Sequence, residues 1–210
     1  MLTLYDFPRA PSPRRARVFL AEKGVQHDTI IVDLTTREQL SEAYRAINPQ
    51  CTVPALKLDD GTVLTDNASI HAYVEAAYPA PSLLGETPAE KAAIASWNAR
   101  IENEGMLAVA EALRNSAPAM AGRALTGAVG YDQIPALAER GLARFANFLV
   151  MLDAQLAGRD FIATDRFSLA DITAYIAVDF ARVIRMKPSE EQANVRRWQA
   201  AIGNRPSMAL

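Results

Sequence analysis

Cysteine and long apolar runs are almost absent from this sequence. Cys51 is the single cysteine among 210 residues, so an internal disulfide is impossible and the chain suits a reducing compartment. A dithiol of the thioredoxin type is excluded because Cys51 has no CxxC partner. No apolar run approaches about 18 residues, so we expect no transmembrane helix. The first residues lack the pattern of a secretion signal, and the expected location is the cytoplasm.

The sequence also lacks a large excess of charge of either sign, and it has few histidines. The 22 Lys and Arg against 24 Asp and Glu leave a formal net charge of −2, which argues against a nucleic-acid partner or an anionic membrane surface. The two histidines, His27 and His71, stand without a cluster of other ligands, so we expect surface or partly buried histidines and no metal site. Half of the residues are hydrophobic, enough for one large or two small domains.

The composition changes near residue 80. Before it, short β-rich runs alternate with helical stretches in the order β-α-β-α-β-β-α, with the helices expected at 14–23, 38–46 and 68–77. The Asp-Gly turn at residues 59–61 separates two extended runs and indicates a hairpin. A small mixed sheet with helices packed on it is expected.

The chain after residue 80 is rich in alanine and has no convincing strand. Two prolines and a glycine within residues 78–85 indicate a linker. Thr87, followed by proline, is a typical start for the helix expected over residues 89–113. Ser168 opens another helix, where Asp171 is expected to reach back in a capping box. We therefore predict two domains, residues 1–80 and an all-helical 87–210.

Ser12 lies between two prolines, directly before the first predicted helix. One interpretation is an ordinary N-cap, with Pro13 at the first helical position. The other is an anion site, because a helix N-terminus offers N–H groups and a positive dipole end to a thiolate. Lowering a thiol pKa from about 8.5 by about 2 units requires about 2.7 kcal/mol. A hydrogen bond to a charged group contributes about 1.5–3 kcal/mol and the dipole about 0.3–1 more, so one hydroxyl at a helix end suffices.

Other polar residues also admit two interpretations. Asp66 and Asn67 precede a helix, so they either cap it or hold an amino-acid head group, with Asp66 pairing an ammonium and Asn67 holding a carboxylate. The basic cluster of Arg14, Arg15 and Arg17 is expected to be a solvated helix face.

Taken in order, these pieces resemble the cytosolic glutathione transferase superfamily. The resemblance covers almost the whole chain. Each motif is weak alone, but together they follow the family's order and spacing. The motifs that carry it are Ser12 and Pro13, residues 17–24, Asn48 and Pro49, residues 53–56, residues 66–70, residues 168–171 and residues 205–207.

The resemblance implies an α/β thioredoxin-like N-terminal domain plus an all-α C-terminal domain, the glutathione transferase fold. It implies that glutathione binds mainly to the first domain and a small electrophile in the cleft between the two, usually in a homodimer. Ser12 would activate the thiol. The implied contacts to glutathione are Gln39, the backbone of Val53, a cis Pro54, and Asp66 with Asn67 at the γ-glutamyl end, while the electrophile pocket would involve Met106, Ala110 and Arg114.

Two departures from the family pattern leave alternatives open. Asp66 and Asn67 replace the usual Glu-Ser pair. In many bacterial relatives, a serine or threonine matches Ala10 and an asparagine matches position 12. Those relatives include glutathione-dependent disulfide reductases and peroxidases, so such an activity is the alternative to conjugation. A non-catalytic binding protein on the same fold is a third possibility, which the hydroxyl at position 12 disfavours.

Overall fold

The computed structural model describes all 210 residues, and they form two compact units. The first unit contains a four-stranded sheet with helices, and the second contains helices, which confirms the predicted fold class. No helix has both the length and the apolar character needed to cross a membrane. The first unit consists of Met1–Pro81, Leu125–Gly130 and Leu210, and the second of Ser82–Ala124 and Tyr131–Ala209.

The first unit follows the predicted order of strands and helices. The helix expected over residues 38–46 is wrong in detail: it is split because Ser41 is extended and caps a new one-turn helix by accepting from Tyr44 N–H. The elements are β1 Thr3–Asp6, α1 Pro11–Glu22, β2 Asp28–Ile31, a 3-10 turn Glu38–Leu40, α2 Glu42–Arg45, β3 Ala55–Lys57, β4 Val63–Leu64 and α3 Asn67–Ala77.

The sheet has the strand order β2-β1-β3-β4. Strand β1 is central, parallel to β2 and antiparallel to β3, and Leu4 pairs with Thr29 on one side and Leu56 on the other. Leu4 and Leu56 are fully buried, so the core of this unit lies against these middle strands. The outer strand β2 is exposed along its whole length.

Helix α1 begins at Pro11. If Ser12 were its N-cap, the helix would begin two residues later, at Pro13. The N-cap is Ala10, whose N–H donates to Phe7 O at 3.0 Å and closes a turn after β1. Pro11 occupies the first helical position because its fixed φ suits a helix and its missing N–H has no helical partner there anyway. Ser12 is therefore inside the first turn rather than capping it.

The C-terminal end of α1 is tied to the end of α3 by Lys23. This residue is buried, and its ammonium pairs with Glu75 at 2.5 Å. It also donates to Tyr78 O at 2.9 Å and Pro81 O at 2.5 Å. A buried charge is tolerated because oxygen partners surround it.

The regular elements of the second unit are all helical. Thr87 and Glu90 form a capping box at the start of α4, which confirms the predicted helix start. The helix expected over residues 89–113 is present without a break in helical backbone, but a π-helical turn interrupts its α-helical bonding. The elements are α4 Pro88–Arg100, the π turn Ile101–Met106, α5 Leu107–Ser116, a 3-10 turn Pro118–Met120, α6 Pro135–Gln155, α7 Leu169–Phe180 with a 3-10 extension Ala181–Ile184, α8 Ala193–Gly203 and a final 3-10 turn Pro206–Ala209.

Asp171 organises the core of the second unit. Its Oδ2 accepts from Ser168 N at 3.1 Å, as the capping-box prediction requires, and also from Ser168 Oγ at 3.1 Å. Its Oδ1 accepts from Ile162 N at 3.0 Å and Trp198 Nε1 at 3.1 Å. Burial raises the pKa of Asp171 to about 6, while the four donors act in the opposite direction.

Candidate functional site

Ser12 is the second residue of α1 and is half-buried. No other side chain of the protein bonds its hydroxyl, and only its carbonyl is bonded from outside the helix. The hydroxyl is therefore available as a hydrogen-bond donor at the start of the helix.

The first turn of α1 offers few backbone donors. Pro11 and Pro13 flank Ser12 and have no N–H, and Arg14 N–H already donates to Ala10 O at 3.3 Å. The general expectation of several free N–H groups at a helix start is thus wrong for this helix. The N–H and O–H of Ser12 are the donors that the turn has left for an anion.

The loop before α1 is fixed by an ion pair. Arg17 Nη1 contacts the Asp6 carboxylate at 2.5 Å, and its Nη2 donates to Pro8 O at 3.2 Å. Asp6 is 2% exposed at the end of β1. The prediction of a solvated basic face is wrong for Arg15 and Arg17. Arg15 is buried, and Arg17 forms an ion pair with Asp6 at the end of β1. The sequence pattern gave no signal for this pair.

Asp66 and Asn67 begin α3 in different ways. Asp66 is the N-cap, and its Oδ1 accepts from Ser69 N at 2.8 Å. Asn67 is 6% exposed, and its Nδ2 donates to Ser12 O at 3.1 Å. The other amide atom, Asn67 Oδ1, is buried without a hydrogen-bond partner. The structure thus brings together two of the predicted site residues across 55 positions of sequence.

Gln39 lies in the 3-10 turn before α2 and is half-buried. Its Oε1 is another buried acceptor without a partner. The peptide bond between Val53 and Pro54 is cis, as the family resemblance implies, and Pro54 directly precedes β3.

The loop before Val53 is held by two side chains that the sequence did not single out as site residues. Asn48 Nδ2 donates to Thr52 O at 2.8 Å, and the Tyr44 hydroxyl donates to the same oxygen at 2.7 Å. Burial raises the pKa of Tyr44 to about 12, so its phenol stays a donor. These contacts fix the backbone immediately before Val53.

The remaining candidates for chemistry are buried. Cys51 is 2% exposed, with its Sγ 3.6 Å from Pro49 O. His71, expected to be a surface or partly buried residue, is instead fully buried at 3% exposed, and its ring contacts Phe19 with ring centroids 4.5 Å apart. Burial, together with the nearby charge of Arg15, lowers the pKa of His71 to about 3, so the ring is neutral. No group of three His, Cys, Asp or Glu side chains is placed to hold a metal.

The predicted electrophile residues lie in the second unit. Met106 ends the π turn, and Ala110 and Arg114 follow at intervals of four residues along α5, so the three share a helix face. All three are half-buried. Arg114 Nη1 donates to Arg123 O at 2.7 Å, and burial lowers the pKa of its guanidinium.

Comparison with known proteins follows the same division of the chain. Residues 10–77 match the model of the glutathione S-transferase N-terminal domain, and residues 116–206 match that of the C-terminal domain. Glutathione S-transferase 2 of Saccharomyces cerevisiae is 31% identical over 209 residues, which span 99% of this chain and 88% of the yeast protein.

Solved structures give the same result. A glutathione S-transferase domain-containing protein from Marinobacter aquaeolei VT8 is 33% identical, with a TM-score of 0.88 over 98% of this chain and 99% of that one. The structure of Gtt2 from Saccharomyces cerevisiae is 31% identical, with a TM-score of 0.90 over 99% of this chain and 98% of that one. The chain therefore belongs to the cytosolic glutathione transferase superfamily and is a glutathione transferase.

Proposed function

We propose that this glutathione transferase binds glutathione on its first unit, with Ser12 beside the sulfur, and adds the thiolate to a small electrophile. The observation that carries the proposal is the first turn of α1. Two prolines remove neighbouring N–H groups, which leaves the hydroxyl and N–H of Ser12 as the donors for a developing negative charge.

The reaction needs a thiolate near neutral pH. The thiol of glutathione gives its proton to solvent, and a hydrogen bond from the Ser12 hydroxyl stabilises the sulfur anion that remains. The sulfur lone pair then forms a C–S bond to the electron-poor carbon, and a leaving group departs with its electron pair. One charged hydrogen bond, about 1.5–3 kcal/mol, shifts the thiol pKa by about 1–2 units.

Gln39 Oε1 and Asn67 Oδ1 support the placement of glutathione on this unit. Both are buried amide oxygens without a partner, and such atoms need an explanation in a folded protein. Glutathione carries an ammonium and two amide N–H groups that can donate to them. Asn67 would then accept from a donor rather than hold a carboxylate, because its amide hydrogens face Ser12 O.

The other glutathione contacts remain as the resemblance implies. Val53, held by the anchored loop before it, would pair its backbone with the cysteinyl part, next to Pro54. Asp66 is exposed and would pair with the ammonium through the oxygen that does not cap α3. Met106, Ala110 and Arg114 are the candidates for the electrophile pocket.

Retention on immobilised glutathione, followed by activity assays, tests this function. We expect retention, elution by free glutathione, and turnover of an aryl halide exceeding that of a hydroperoxide or a disulfide. Turnover of only the last two substrates would replace conjugation by the peroxidase or reductase activity. Failure to bind glutathione in the folded protein would leave the third hypothesis, a binding protein without glutathione chemistry.

Location and assembly follow the family expectation. We propose a cytoplasmic homodimer without a nucleic-acid or membrane partner; the single cysteine and the balanced charge support this. Sedimentation equilibrium is expected to give twice the chain mass of 22.8 kDa.

A further inference from the structure

The contact between Asn67 and Ser12 joins the first residue of α3 to the first turn of α1. Asn67 is 6% exposed, and its side chain lies 3.1 Å from Ser12 O. A backbone carbonyl only accepts hydrogen bonds, so the amide atom facing it must be Nδ2. This fixes the orientation of the Asn67 amide without ambiguity between its nitrogen and oxygen.

The first turn of α1 has little support of its own. Ala10 is the N-cap and has no side chain that can accept from the turn. Pro11 and Pro13 set φ but donate no hydrogen bond. The position of the Ser12 backbone therefore depends on contacts from outside the helix.

Such contacts act on different parts of the chain, and one of them joins Arg14 Nε to Leu210 O at 3.0 Å. Arg17 ties the preceding loop to Asp6 and Pro8 O. Asn67 holds the Ser12 peptide itself. Since Cα of Ser12 is attached to that peptide, the bond from Asn67 helps to fix the Cα–Cβ bond from which the hydroxyl extends.

We propose that Asn67 is a positioning residue that aims the Ser12 hydroxyl through the Ser12 carbonyl. The proposal rests on the proposed role of Ser12 and assigns Asn67 a task beyond contact with glutathione. It also accounts for the departure from the family's Glu-Ser motif. A serine at position 67 is too short to replace the amide that spans from α3 to Ser12 O, whereas asparagine reaches it.

Asn67→Ser and Asn67→Asp test the proposal. The first installs the family's residue and removes the tether; the second keeps the shape but turns a carboxylate oxygen toward the carbonyl. We expect each to raise the pKa of bound glutathione, read from the pH profile of kcat/KM for the electrophile at saturating glutathione. Each should also lower this kcat/KM about tenfold at neutral pH, the effect of one lost hydrogen bond.

The decisive comparison repeats both substitutions in a Ser12→Ala background. If Asn67 acts through the hydroxyl, they leave the thiol pKa unchanged there, and any remaining loss of kcat/KM is that of the contact between Asn67 and glutathione. An equal rise of the thiol pKa in both backgrounds would mean that Asn67 does not act through the Ser12 hydroxyl, and the proposal would be wrong. It would be equally wrong if the variants left the pH profile of the parent unchanged.

Asn115→Asp is the matched control for general destabilisation. Asn115 is also buried, 5% exposed, and its Nδ2 donates to Glu111 O at 2.9 Å, but it lies in the second unit. We expect it to lower the unfolding temperature and leave the thiol pKa unchanged. A matching pKa shift in this variant would overturn the proposal.

Hydrogen exchange separates this proposal from the proposed function. In the absence of glutathione, the amide of Arg14, which donates to Ala10 O across the first turn, is expected to exchange faster in Asn67→Ser than in the parent. Unchanged exchange would show that the tether does not hold the turn. A parent without glutathione-dependent turnover but with this difference in exchange would instead refute the proposed function and, with it, the catalytic purpose of the tether.

Discussion

Asp171→Asn is expected to change how the free energy of unfolding depends on pH, because it removes a buried carboxyl group that titrates. The substitution keeps the shape of the side chain but cannot ionise. The raised pKa of Asp171, about 6 against 3.8 for the free group, means that between these pH values the native state holds a proton that the unfolded state has lost. Stability from this group is therefore fully present below pH 3.8 and is lost as the pH rises through 6. The difference corresponds to about 3 kcal/mol.

The asparagine also disturbs the local hydrogen bonds. With its oxygen toward Ile162 N and Trp198 Nε1, its NH₂ faces Ser168 N, and two donors meet. A buried N–H left without an acceptor costs about 1–3 kcal/mol. We therefore expect Asp171→Asn to be less stable than the parent at pH 7, and the gap to widen on acidification.

Urea unfolding followed by far-UV circular dichroism from pH 7.5 to pH 4.5 measures both effects. Subtracting the free energy of unfolding of the variant from that of the parent cancels the titration of all other groups. The difference is expected to grow by about 2 kcal/mol over this range, most of the full amount. A difference that is independent of pH, or that shrinks on acidification, would refute the reasoning, since the hydrogen bonds would then outweigh burial in setting the pKa of Asp171.

Three further substitutions test other parts of the structure. Gly141→Ala places a Cβ 2.6 Å from Ala112 N, so α5 and α6 must separate; a loss of about 3 kcal/mol in denaturant unfolding is expected, and a neutral result would contradict the close approach. Lys23→Met leaves Glu75 and two carbonyl oxygens without their cation and should cost about 3 kcal/mol in the same assay, whereas a gain in stability would contradict it. Cys51→Ser should keep most glutathione-conjugating activity, and near-total loss would show a catalytic thiol.

Much of the fold could be predicted because its signals are local. The Asp-Gly hairpin turn, the Thr87 capping box and the Asp171 cap depend on residues within a few positions of each other. The π turn at Ile101–Met106 was missed because its weak helix formers, Asn103 and Gly105, do not distinguish a π turn from an α-helix. Its support comes from α6, where Arg144 donates to Asn103 O at 2.6 Å.

Single residues of the candidate site could be predicted from the sequence, but the contacts between them could not. Ser12 and Asn67 were each located by their position before a helix, yet the bond between them joins residues 55 positions apart. The start of α1 was misplaced because two prolines both suit a first helical position, and the turn closed by Ala10 N–H decides between them. The ion pair of Arg17 likewise depends on Asp6, a partner in another element.

The thiol pKa of bound glutathione in Ser12→Ala tests the central claim most directly. It is read from the pH dependence of kcat/KM for the electrophile at saturating glutathione, and from the ultraviolet absorbance of the thiolate in the binary complex. We predict a higher pKa than in the parent and turnover lowered about 10²-fold, as expected when an activating hydrogen bond is removed. An unchanged pKa and unchanged turnover in a correctly folded Ser12→Ala protein would contradict the assignment of Ser12 as the group that activates the thiol.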